Sequence, residues 1–253
     1  MDSQHGIDSA GGAAVEERAA APVDDSALGA DAVDRIVEDG LVTAVFQPIV
    51  NLRDGSVFGY EALARVNRQP ALPPDRWLAL AEANGKRREL EHACLRAAAA
   101  AGDPPHGSAL FVNVSPDVLA DPRTLGLRAI LPDRLVVELT ERDVVDDYDA
   151  LRAHIARWRE RGVRVAIDDT GSGWSTLRHV VQLQPDFIKL DRSLIADVGR
   201  DRSRRALVHA MVAFAQESGA VVVAEGVERH GEVDALIDAG VHLVQGWLLA
   251  RPG

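Results

Sequence analysis

The sequence predicts an α/β fold, closed as a TIM-type (β/α)8 barrel with one antiparallel strand. Three observations carry that expectation. Strand-like and helix-like stretches alternate from Asp31 to the C-terminus, the pattern of parallel strands joined by crossover helices. Eight stretches read as strands, at residues 43–50, 57–64, 109–114, 135–140, 163–168, 186–190, 220–225 and 241–245. The turn between the first two, Leu52, Arg53, Asp54, Gly55 and Ser56, is too short for a parallel crossover but suited to a hairpin. One barrel strand is therefore expected to run backwards.

Residues 1–30 form an acidic leader rich in Ala and Gly, with no hydrophobic period, and are expected to be disordered. Residues 31–253 are expected to be one domain, since a chain of 253 residues suits a single barrel. Between the later strands, stretches such as residues 148–161 carry Leu151, Ile155 and Trp158 on one helical face. No internal repeat is present.

The net charge of -11 divides unevenly. Residues 1–40 contain ten acidic residues and two arginines, a net -8 that leaves only -3 for the rest. Such balance predicts no broad basic face for duplex nucleic acid. No apolar run is long enough for a membrane helix, and the N-terminus lacks the basic opening and apolar stretch of a secretory signal. The single cysteine, Cys94, cannot form an intrachain disulfide, which fits a reducing compartment. A soluble cytoplasmic protein is the expectation.

Barrel strands are buried on both faces, so a polar residue near a strand's C-terminal end is costly unless paired, and that end carries the active site in barrel enzymes. Glu61, Asn113, Glu138, Asp168 with Asp169, Lys189, Glu225 and Gln245 all fall at or near such ends. Each alone reads best as a satisfied core group or helix cap; Asn113, before Ser115 and Pro116, suits a capped helix start. Gathered on one barrel rim, the carboxylates would repel one another unless cations neutralised them. Glu61, Asn113, Glu138, Asp168 and Asp169 form an all-oxygen ligand set, which suits hard cations such as Mg²⁺, Mn²⁺ or Ca²⁺. Two such ions, roughly 3.5–4 Å apart, suit phosphoryl chemistry.

Lys189 stands out because Lys86 is the only other lysine among 28 Lys plus Arg residues. A compact ammonium with a tunable pKa suits a position beside an attacking water or a leaving oxygen. Gly171, Ser172 and Gly173 read, taken alone, as a plain turn, and gain interest only from following the aspartate pair. His154, His179 and His230 lack metal-ligand spacing and read as surface or packing residues.

The motifs resemble the EAL domain family of bacterial phosphodiesterases. The resemblance spans about residues 31–252. It rests on Gln47-Pro48-Ile49, Glu61-Ala62-Leu63 with Arg65, Asn113-Val114-Ser115, Glu138-Leu139-Thr140-Glu141 and Asp168-Asp169. It continues through Lys189-Leu190-Asp191, Glu225-Gly226-Val227-Glu228 and Gln245-Gly246. The resemblance implies hydrolysis of cyclic di-GMP to linear pGpG with two Mg²⁺ or Mn²⁺ ions in a homodimer. It implies metal ligation by Glu61, Asn113, Glu138, Asp168 and Asp169, with Glu225 as general base and Lys189 positioning the water. Arg65 would contact a phosphate, Gln47 the nucleotide and Gln245 the catalytic pocket. Glu141 and Glu228 would support the site loops.

The chain departs from the family pattern after the aspartate pair, with Thr170, Trp174, Ser175 and Thr176, and in an arginine-rich stretch over residues 73–90. A catalytically weak cyclic di-GMP receptor or protein-interaction adaptor is one alternative, against which the intact motif set argues. A one-metal lyase or racemase using Lys189 as base is another, against which the paired aspartates argue.

Overall fold

The computed structural model describes residues 30–68, 72–140, 145–171 and 174–253. In chain order the elements are α1 (Ala30–Glu38), β1 (Val42–Asn51), β2 (Val57–Val66), α2 (Pro74–Ala83), α3 (Arg87–Ala100), β3 (Ala109–Asn113), α4 (Pro116–Ala120), α5 (Pro122–Leu127) and β4 (Leu135–Leu139). They continue with α6 (Tyr148–Arg159), β5 (Arg164–Thr170), α7 (Trp174–Leu183), β6 (Phe187–Leu190), α8 (Arg192–Ile195), α9 (Arg202–Ser218), β7 (Val221–Ala224), α10 (His230–Asp238) and β8 (Leu243–Val244).

The eight strands close into a barrel in sequence order. β1 is antiparallel to both neighbours, β2 and β8, and every other pair is parallel. The reversed strand is thus the one the short β1–β2 connector requires. In the antiparallel pair Gln47 lies opposite Glu61, so both side chains share the inner face.

Strand alternation divides the barrel interior into two levels. The lower is apolar: Ile49, Ala109, Phe111, Val136, Ala166, Phe187, Val223 and Leu243 form one buried cluster. Two residues further along the parallel strands, the same inward face carries Asn113, Glu138, Asp168, Lys189, Glu225 and Gln245. The outward residues between them, such as Val137, Ile167, Ile188 and Ala224, join a second cluster shared with the surrounding helices. Gly59 permits the close β2–β3 approach, because a Cβ there would meet the Ala109 carbonyl oxygen at 2.6 Å.

The helices follow local rules. α6 buries Leu151, Ile155 and Trp158, and its N-cap Asp147 accepts from the Ala150 N–H. Ser115 caps α4 by accepting from Val118 N, as its place before Pro116 suggests. Trp77 of α2 is buried in a satellite cluster with Val33, Ile36 and Leu90, sealing one side of the barrel.

Two strand ends differ from expectation. β5 runs on to Thr170 because a register shift between Ile167 and Thr170 absorbs the aspartate pair and lets pairing resume at Leu190. β8 is only Leu243–Val244. Beyond it the chain turns at Gly246, where a Cβ would lie 2.2 Å from the Val227 carbonyl oxygen.

Candidate active site

Lys189 organises the barrel mouth. Its side chain is 1% exposed, and its Nζ lies 2.7 Å from Glu225 Oε1, 2.8 Å from Glu138 Oε1, 3.2 Å from Asp168 Oδ1 and 3.5 Å from Glu61 Oε2. β4, β5, β6 and the residue after β7 supply neighbouring inward positions, and β2 closes the ring through β3. Four carboxylates therefore face one ammonium. Asn113 completes the predicted set by donating its Nδ2 to Glu61 Oε1 at 3.2 Å.

The electrostatic consequences are large. Burial pushes the Glu138 carboxyl well above its ordinary range; Lys189 opposes the shift, and Glu61, Asp168 and Glu225 reinforce it. Glu225 moves the same way, first from burial and then from the Asp168 charge, against the pull of Lys189. Burial pulls Lys189 down, but Asp168, Glu138, Glu225 and Glu61 outweigh it and hold the ammonium well above its usual pKa. The site as it stands carries excess negative charge.

That excess fits a divalent cation. Asp168, Asp169 and Glu225 each bring a carboxylate oxygen to within 4.8 Å of the others. Glu138 Oε2 is buried without a hydrogen-bond partner, a costly state that an ion or bound water would relieve. Backbone geometry creates the aspartate cluster. Asp169 has φ 53, a left-handed conformation that Asp tolerates better than most residues. With the local bulge it turns two successive side chains toward the mouth. The Asp169 N–H donates to Asp168 Oδ1 at 2.9 Å.

A cavity of about 420 Å³ opens at this cluster, lined by Asn113, Asp168, Asp169 and Arg65. It continues along Leu78, Cys94 and Leu95 between the first strands and helices α2 and α3. A larger cleft of about 520 Å³ is lined by Arg87, Arg88, Glu89, Asp117 and Arg123 and contains none of the strand-end residues. Chemistry, not size, selects the mouth.

Most of the sequence-predicted residues converge. Gln245 Nε2 donates to Glu61 Oε2 at 2.6 Å and to Gln47 Oε1 at 3.0 Å. Arg65 lines the cavity while donating to its neighbour's carbonyl, Ala64 O. Glu228 pairs with Arg192 at 2.8 Å, tying the loop after β7 to the start of α8. Glu225, expected as base alone, shares a carboxylate cluster with Asp168 and Asp169. Glu141, Ser172 and Gly173 lie outside the described residues, as does the leader through residue 29. His179 is a packing residue, its Nδ1 2.8 Å from the Tyr148 hydroxyl.

Sequence reasoning missed two buried glutamates. Glu91 on α3 accepts from the Ser115 N–H at 2.9 Å and from Arg87 Nε at 2.7 Å, fixing the loop after Asn113. Glu232 on α10 accepts from the N–H groups of Glu228 and Arg229 at 2.9 and 3.1 Å, holding the loop after Glu225. Each lies within helical sequence, where a glutamate reads as a solvated surface residue. The signal available for Glu232 was its place at the third position of α10, where a capping-box glutamate acts.

Comparison with known proteins agrees with this geometry. The chain is 34% identical over 227 residues to the Pseudomonas aeruginosa cyclic di-GMP phosphodiesterase NbdA, covering 82% of this chain and 28% of that protein. It is 28% identical to the probable cyclic di-GMP phosphodiesterase PdeG of Escherichia coli, over 90% of this chain and 48% of PdeG. The manganese/cy-diGMP complex of Klebsiella pneumoniae BlrP1 superposes with a TM-score of 0.75 at 32% identity, covering 84% of this chain and 56% of that one. The chain thus spans less than half the length of these two curated relatives. Residues 30–252 match the model of the EAL domain, and the chain belongs to that family.

Proposed function

We propose that this domain hydrolyses cyclic di-GMP to linear pGpG at the carboxylate-lined barrel mouth, with Mg²⁺ or Mn²⁺ bound there. The observation that carries the reading is Lys189 held among Glu61, Glu138, Asp168 and Glu225, beside Asp169 and Asn113. The relatives named as phosphodiesterases, and the BlrP1 complex containing manganese and cy-diGMP, support it.

The residues divide the work. Glu61, Asn113, Glu138, Asp168 and Asp169 would hold two ions. Bound divalent ions lower the pKa of water and take up charge developing on a phosphoryl group. Glu225 accepts the proton of the attacking water as general base. Lys189, 2.7 Å from Glu225 Oε1, orients that carboxylate and donates toward the water. Arg65, at the cavity wall, faces a phosphate of the substrate. The proton taken by Glu225 is available to the departing ribose oxygen, which completes P–O cleavage.

The proposal includes a cytoplasmic homodimer. Leu177 and Val181 on α7 are 41% and 58% exposed, apolar surface that a second copy would cover. Light scattering tests the dimer. No described helix is long and apolar enough to cross a membrane.

The activity is tested by incubating purified protein with cyclic di-GMP and Mg²⁺ or Mn²⁺ and separating the products by chromatography. Linear pGpG is expected with metal, and Glu61→Ala should abolish it. Nucleotide binding with no pGpG after hours would instead establish a receptor, and full activity in chelator would overturn the metal mechanism.

A further inference from the structure

Strand alternation continues past the apolar level to the end of the barrel opposite the carboxylates. Arg134 stands four residues before Glu138 and Arg164 four before Asp168, so the period of two turns both toward the inner face. A register shift between β1 and β2 skips Phe58, which packs against the lower apolar cluster. Both guanidinium groups lie over its ring, each with Cζ 5.7 Å from the centroid, and Arg164 also covers Phe187 at 4.9 Å.

Packing over a ring uses the face of a guanidinium and leaves its N–H edge to be satisfied elsewhere. Arg134 donates to the Gly107 carbonyl at 3.1 Å. Among the described residues the half-buried Arg164 guanidinium has no hydrogen-bond or salt-bridge partner. Asp186, the carboxylate whose charge it feels, is engaged by the Val165 N–H at 2.8 Å and by Arg159 at 3.4 Å. Burial lowers the Arg164 pKa, the Arg134 charge lowers it further, and Asp186 only partly opposes them. Two like charges thus share one ring.

The pair is separate from the mouth. Phe58, Phe111 and Phe187 pack ring against ring, with centroids 5.3, 5.7 and 6.3 Å apart, and Phe111 and Phe187 are buried. That apolar level stands between the arginines and the carboxylate ring.

We propose that Arg134 and Arg164 form an oxyanion site at the N-terminal end of the barrel that takes a phosphate group, either free or as the monoester of a nucleotide. A phosphate dianion carries enough charge and acceptor oxygens to engage both guanidinium forks, and it satisfies donors that the protein leaves free. The inference does not depend on the proposed hydrolysis.

The test is a calorimetric titration of the full chain with inorganic phosphate and, separately, with guanosine 5′-monophosphate, in chelator and at constant ionic strength. The parent should bind, and Arg164→Met should weaken phosphate binding by about tenfold or more, the loss of one charge-assisted contact. Arg134→Gln, at an exposed side chain, carries the same expectation and serves if circular dichroism shows Arg164→Met unfolded. Tighter binding of the nucleotide than of phosphate, lost in the same variants, would assign the group to a nucleotide; equal binding, lost likewise, would assign it to free phosphate. A parent that binds neither would overturn the proposal and leave the arginines as a plug over Phe58. Affinity for both ligands unchanged by either substitution would overturn it too, placing the bound anion elsewhere.

Discussion

Lys189 Nζ lies 2.7 Å from Glu225 Oε1, at the base of the mouth, where its side chain is 1% exposed. The same ammonium also contacts Glu138, Asp168 and Glu61, so it is the counter-charge for the whole carboxylate ring. Lys189→Met should therefore lower metal-free stability by about 3–5 kcal/mol, because it leaves buried carboxylates uncompensated. Mn²⁺ should restore more stability to the variant than it adds to the parent. Denaturant unfolding with Mn²⁺ and with chelator measures both, and equal gains would contradict the role.

Glu225 belongs to the Asp168–Asp169 carboxylate cluster and also touches Lys189, so its roles as base and as ligand must be separated. As the base, Glu225→Gln keeps the shape but cannot take a proton. Its kcat should fall by about 100-fold or more, with cyclic di-GMP still bound. Loss of Mn²⁺ binding in the same variant would make Glu225 a ligand first.

The raised pKa values link metal binding to pH. Folded Glu138 and Glu225 keep their protons above the ordinary glutamate value of 4.5, where unfolded glutamates have lost theirs. The folded state then binds more protons than the unfolded one, so metal-free stability falls as pH rises through the raised folded values. Mn²⁺ requires ionised carboxylates and should expel those protons, so its affinity should rise with pH. Calorimetry at about pH 6 in two buffers of different ionisation enthalpy reads the release directly; no buffer dependence would contradict it.

At Asp169 backbone and charge can be tested apart. Asn accepts φ 53 and keeps an oxygen donor, so Asp169→Asn should melt close to the parent but bind Mn²⁺ more weakly. Asp169→Val, β-branched at a positive φ, should also lose about 1–3 kcal/mol of stability. Equal melting of the two variants would show that the backbone imposes no such demand.

The barrel was legible because its strands are short, apolar and alternating, and because five connector residues leave a hairpin as the only way to join β1 and β2. The upper level was legible for the same reason: Glu138 and Lys189 interrupt runs that are otherwise apolar. What lay beyond reach depends on tertiary contact. Nothing local marks the bulge at Asp168 and Asp169, since it is set by the β5–β6 register. Glu91 and Glu232 look like surface helix glutamates until the loops they hold are packed against them. Gln47 was found by motif, but only the fold brings Ala250 and Gln245 to its amide.

In the proposed reaction a water, activated at the metal-lined mouth, attacks phosphorus. Turnover of cyclic di-GMP in oxygen-18 water, followed by mass spectrometry of the product, tests it most directly. With Mn²⁺ the product should be pGpG carrying a single heavy oxygen on its terminal phosphate, and chelator should abolish it. Unlabelled product, or labelled product formed equally well in chelator, would contradict the account.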